Sequence, residues 1–239
     1  PGGNRYTVND GSVNNWTLQL ASRYGLALAS APAGTSYAVG NVRVSGHPDV
    51  VGDNSTRTVT EQIDDFFAAG RSFTDTDLVV INAGIGDIVY QAGPTALNAN
   101  VLGNIQQAGR DLADQVRRVV NAGAKHVVLV GTYHLDYSPW GTATGAQSTL
   151  REYSTQFNAS LLANVADLTS KVFYVDAALY FDSLALSPTS YGLTNSANVV
   201  CDSTTATSTA SLSIGLGTSP PEVSSVLCTG STVVADQNT

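Results

Sequence analysis

The sequence predicts a three-layer α/β/α fold built on a parallel sheet. Two observations predict it. Short, continuous apolar runs recur along the middle of the chain, and such runs suit strands buried on both faces. Between them lie segments whose apolar residues repeat every three to four positions, as one face of a helix requires. Parallel strands joined by helical crossovers give an open sheet with helices on both faces.

The elements follow in order. Asn14 and Asn15 precede a helical segment with Trp16, Leu20 and Tyr24 at four-residue spacing, stopped by Gly25. Thr58 and Glu61 fit a capping box, in which each residue's side chain satisfies the other's backbone N–H. Behind them Ile63, Phe66 and Phe67 form an apolar face, and Gly70 ends the helix. Leu78–Ile81 is the first buried strand. A long helix is predicted from about Thr95 to Asn121, with the stripe Leu97, Val101, Ile105, Leu112, Val116 and Val120 and with Gly123 at C′. Val127–Val130 is the second strand. The next helix carries Leu150, Tyr153, Phe157, Leu161 and Val165, and Val172–Val175 is the third strand. From Ser187 to Thr239 the periodicity collapses into a long Ser/Thr-rich loop region within one domain spanning 1–239.

Composition narrows the functional class. The 239 residues suffice for one domain with a substantial core. Only 13% are charged, against the usual quarter or so, and Ser, Thr, Asn and Gly take the polar positions. That style predicts a secreted, extracellular or periplasmic protein. The net charge of −8 and the scattered basic residues predict no nucleic-acid partner. No apolar run reaches bilayer length, so no transmembrane segment is expected. With Pro1-Gly2-Gly3 at its start and no Met anywhere, the chain reads as a processed or truncated product. Cys201 and Cys228 are either a disulfide or two free thiols; the exported style favours the disulfide. Closing that loop would contribute on the order of 3 kcal/mol.

In open parallel sheets, ligands sit beyond the carboxyl ends of the strands. The segments leaving those ends are 82–87, 131–136 and the chain from Asp176 onward. Gly84-Ile85-Gly86-Asp87 follows the first strand, where Asp87 reads as a helix cap. The Lys and Ser/Thr of a phosphate loop are missing there, which leaves a flavodoxin-like cofactor binder without support. Tyr37-Ala38-Val39-Gly40-Asn41 is a second glycine turn. Of the three histidines, His126 reads as structural and His47 as solvated. His134 lies past a strand end with Asp136 nearby, which makes the two candidates for catalysis or ligand binding. No serine sits in a nucleophile elbow. No cofactor and no metal are expected. Asn15, Asn54 and Asn158 stand in Asn-x-Ser/Thr acceptor triplets.

Several stretches together resemble the GDSL (SGNH) esterases and lipases of the secreted bacterial type. Gly3-Asn4-Arg5-Tyr6-Thr7, followed by Asn15-Trp16-Thr17-Leu18-Gln19-Leu20-Ala21, resembles the segment after that family's nucleophile. Gly34-Thr35-Ser36-Tyr37-Ala38-Val39-Gly40 resembles the second block, whose glycine lends a backbone N–H to the oxyanion hole. Gly84-Ile85-Gly86-Asp87 stands where the third block, G-x-N-D, belongs. Tyr191-Gly192-Leu193-Thr194-Asn195, followed by Cys201 and Cys228, resembles the loop before the final D-x-x-H block.

The resemblance implies a flavodoxin-like sheet, a small ester or lipid substrate, and an oxyanion contact from Gly40. It also marks departures. The G-D-S-L serine would precede Pro1, the D-x-x-H block would follow Thr239, and Gly86 replaces the family's asparagine donor. Losing one oxyanion donor costs about two to three orders of magnitude in rate. The family's first strand lies within the sheet, and its unpaired neighbours would each cost about 1–3 kcal/mol per buried group. The sheet is therefore expected to be completed by another chain or by sequence beyond these residues. The expected function is ester hydrolysis with a serine outside the chain; the rival is a non-catalytic descendant of the fold, used in binding or as a structural component.

Overall fold

The structure is a computed structural model that describes residues 14–50, 52–93 and 100–198. Helix α1 (Trp16–Arg23) is capped by the Asn15 side chain, which accepts from the Leu18 N–H, and it buries no residue. Helix α2 (Val59–Ala68) starts with the complete capping box of Thr58 and Glu61. Strand β1 (Leu78–Asn82) leads through Gly84 into helix α3 (Ile85–Ala92). Helix α4 (Val101–Asn121) is the long one, and residues 94–99 of its expected start lie outside the described residues. Strand β2 (His126–Val130) follows, then the short helix α5 (Pro139–Thr144) and helix α6 (Gln147–Val165). Strand β3 (Val172–Val175) and helix α7 (Ala177–Leu186) complete the described elements.

The described strands form one parallel sheet in the order β1-β2-β3. The mixed α/β class is therefore as expected. Side chains alternate across a strand, and this sheet's two faces differ. On one face the rows Val79–Val127–Val172 and Ile81–Leu129–Tyr174 pack into the core with Ile105, Leu112 and Val116 of α4 and with Leu150, Phe157 and Leu161 of α6. Gly109 lets α4 approach α6 closely, since a Cβ there would meet the Phe157 carbonyl at 2.7 Å. On the other face Leu78, Val80, Val128, Val130, Phe173 and Val175 are apolar, yet none is buried among the described residues, and Phe173 is 69% exposed. The described sheet thus has one packed helical layer.

One local expectation needs correcting. Asp87 does not cap α3. Gly84 holds the N-cap position at φ 113, and Asp87 lies inside the first turn with its side chain directed elsewhere. A residue with a Cβ could not sit at Gly84, because the Phe157 ring and the Thr132 methyl press against that point.

Candidate functional site

Two polar assemblies lie beyond the carboxyl ends of β1 and β2. The first joins the two glycine turns. Residues 42–44 run between the starts of α2 and α3. The Val59 and Thr60 N–H groups donate to the carbonyls of Arg43 and Val44 at 3.2 and 3.0 Å. From the other side, Asp87 Oδ2 accepts the Val44 N–H at 2.9 Å, and Asp87 Oδ1 accepts from Arg43 Nε at 3.4 Å. The Arg43 guanidinium lies 3.9 Å over the Tyr90 ring.

Asp87 is 3% exposed. Burial pushes its carboxyl up to about 6, against the opposing pull of the Val44 N–H and Arg43. The carbonyl of Val42 presses on Gly86 where a Cβ would project. Gly40 stands two residues earlier in the same segment, so the structure places both glycine turns in one neighbourhood. A cleft of about 310 Å³ opens beside them, lined by Arg43, Ser45, Asp87, Gln91, Asn104 and Asp111.

The second assembly is centred on His134. Asn158 of α6 fixes the strand exit: its Oδ1 accepts the Thr132 N–H at 2.9 Å, and its Nδ2 donates to the Thr132 carbonyl at 2.8 Å. Next along the chain, the Tyr133 ring stacks on Phe181 of α7 at 4.9 Å between centroids. That stacking sets the following residues side by side, and His134 Nδ1 lies 3.0 Å from each carboxylate oxygen of Asp182. His134 Nε2 lies 3.3 Å from Thr155 Oγ1. Arg151 Nε donates to Asp136 Oδ2 at 2.7 Å, and its terminal nitrogens donate to Asp182 Oδ2 at 3.2 Å. One Arg151 nitrogen also lies 3.1 Å from His134 Nδ1. A ring protonated on Nδ1 donates to Asp182 and accepts the Thr155 hydroxyl at Nε2, but its contact with the Arg151 nitrogen is then donor against donor and is no hydrogen bond.

His134 and Asp136 are therefore in one cluster, as their spacing suggested, but Asp136 is held by Arg151 and the carboxylate that orients His134 is Asp182. Ligand atoms of His134, Asp136 and Asp182 lie within 4.8 Å of one another, which makes these residues the metal-capable group among those described. Asp182, Arg151 and Thr155 escape sequence reading, because they reach His134 from 48, 17 and 21 residues away. The spacing of Arg151 and Thr155 on one face of α6 is the signal that was available.

Elsewhere, His47 Nε2 lies 3.2 Å from Glu61 Oε2 at the surface. Asn158 is 7% exposed with its amide oxygen and nitrogen both bonded to Thr132, so this acceptor triplet is closed to modification in the folded chain. Cys201 and Cys228 lie outside the described residues. No described helix is long and apolar enough to cross a membrane. No protein-family model and no curated protein matches this chain.

Proposed function

We propose that the chain is the scaffold and oxyanion side of a secreted ester hydrolase of the GDSL (SGNH) type, a three-layer α/β/α domain whose serine and Asp–His pair come from outside residues 1–239. One observation carries the reading. The two segments that resemble the family's oxyanion blocks, ending at Gly40 and at Gly86, converge beyond the carboxyl end of β1, with the Val42 carbonyl against Gly86 and the Val44 N–H on Asp87. In that arrangement the Gly40 N–H donates to the oxyanion of an acyl ester while an incoming serine attacks the carbonyl. The apolar row Val80–Val128–Phe173 on the second sheet face supports a further layer packed across it.

The test is hydrolysis of short-chain nitrophenyl esters by the full-length protein, with fluorophosphonate labelling mapped by mass spectrometry. Turnover, with the label on a serine outside this stretch, supports the proposal. An inert protein that takes no label ends it.

A second reading, a non-catalytic binding or structural descendant of the fold, is favoured by Gly86. The position supplies no side-chain donor, and the neighbouring Val42 carbonyl is an acceptor. Saturable binding of an ester by an unlabelled, inert protein would decide for this reading.

A further inference from the structure

We infer that His134, Asp136 and Asp182 form a binding site for a first-row divalent transition cation, independent of the hydrolase reading. An orphaned carboxylate oxygen calls for one. Asp136 is 9% exposed, and its Oδ1 is buried without a hydrogen-bond partner among the described residues. A buried carboxylate oxygen that meets no donor is costly. Arg151 holds the other oxygen, so the free one remains for a cation.

The spacing fits as well. Two ligand atoms at the tetrahedral angle around a cation with bonds of about 2.1 Å stand about 3.4 Å apart. His134 Nδ1 and the Asp182 oxygens are 3.0 Å apart. The full set spans up to 4.8 Å, so small side-chain rotations close it. A metal-ligating histidine usually donates its other ring N–H to a neighbour that fixes the tautomer. Thr155 Oγ1, 3.3 Å from Nε2, is such a neighbour. One imidazole with two carboxylates suits Zn²⁺ or Mn²⁺, whereas Ca²⁺ and Mg²⁺ prefer oxygen ligands alone. The Arg151 side chain is 39% exposed and can move aside toward the Tyr137 ring, whose centroid is 5.4 Å away. A cleft of about 370 Å³, lined by Asp136, Tyr137, Gln147 and Ser196, reaches the cluster at Asp136.

The experiment is calorimetric titration of Zn²⁺ into the metal-free full-length protein. One saturable equivalent is expected, weakened at least tenfold in His134→Ala and in Asp182→Asn and severalfold in Thr155→Val. His47→Ala, at the exposed His47–Glu61 pair, is expected to leave it unchanged. No saturable binding, or binding that survives in both cluster variants, or loss in His47→Ala alone, overturns the proposal. If the cluster variants misfold, NMR of the wild-type histidine rings decides. Zn²⁺ takes His134 Nδ1, so the ring's one proton must move from Nδ1 to Nε2, where Thr155 Oγ1 accepts it; an Nδ1–H that persists at saturating Zn²⁺ overturns the proposal.

Discussion

The carbonyl oxygen of Val42 occupies the space that a Cβ on Gly86 would need. The residues after Val42 are anchored, Arg43 through Val59 and Val44 through Thr60 and Asp87, and Asn41 before it accepts the Val50 N–H at 3.2 Å, so the segment cannot simply retreat. Gly86→Ala is therefore expected to destabilise the protein by about 1–3 kcal/mol, the usual range for forcing extra atoms into a packed site. Gly86→Asn should be worse, and it should not raise esterase activity, because the added amide has no room against the Val42 carbonyl. Urea denaturation measures the first effect and nitrophenyl ester turnover the second. A stable Gly86→Asn protein with greatly increased turnover would show that the segment yields.

Asp87 gives the fold a pH signature. Its carboxyl is pushed up to about 6 from an ordinary value of 3.8, chiefly by burial. The folded state thus holds this proton more tightly than the unfolded chain does. The stabilising contribution is complete below about pH 4 and is lost as pH rises through about 6. A shift of about two units corresponds to roughly 3 kcal/mol. Asp87→Asn keeps an acceptor for the Val44 N–H but cannot ionise. The stability of wild type relative to Asp87→Asn is expected to fall by roughly 2–3 kcal/mol between pH 4 and pH 7. Denaturation midpoints across that range would show it, and a constant difference would refute it.

Asn158 is a structural residue in what looks like a glycosylation triplet. It pairs with both the N–H and the carbonyl of Thr132, which is fully buried. Asn158→Leu leaves those two backbone groups unsatisfied and is expected to cost about 2–6 kcal/mol, at about 1–3 kcal/mol for each group. Hydrogen exchange at the Thr132 amide should accelerate accordingly. In a glycosylating host the exposed Asn54 should carry glycan and Asn158 none, which peptide mapping would test.

The parts of this fold that were legible in the sequence are those with a local cause. The runs at Leu78, Val127 and Val172, the capping box of Thr58 and Glu61, and Gly123 past the end of α4 at φ 110 all stand as read. Helix α5 carries a local signal of its own, a Ser138 cap followed by Pro139. Helix α7 left less, because its apolar residues Leu179, Tyr180 and Phe181 are exposed and trace no buried stripe. The candidate site was half legible. His134 stood out past a strand end. Its partner Asp182 is set by the stacking of Tyr133 on Phe181, a contact across 48 positions that no spacing rule encodes. The pressure of Val42 on Gly86 is likewise a matter of close packing between segments distant in sequence.

Phe173 separates the two accounts of the sheet. It is 69% exposed on the face opposite α4 and α6, in register with Val128 and, through it, with Val80. If a further layer packs on that face in the full-length protein, Phe173 becomes a core residue there. Phe173→Ser would then remove a large buried ring and is expected to cost about 3–5 kcal/mol, as core Phe truncations do. If the face is open to water, the same change should alter stability by no more than about 0.5 kcal/mol. Thermal denaturation of the full-length protein and its Phe173→Ser variant makes the comparison. A loss of several degrees or more supports the three-layer domain, while an unchanged midpoint means the sheet works with one helical layer and its apolar face needs another explanation.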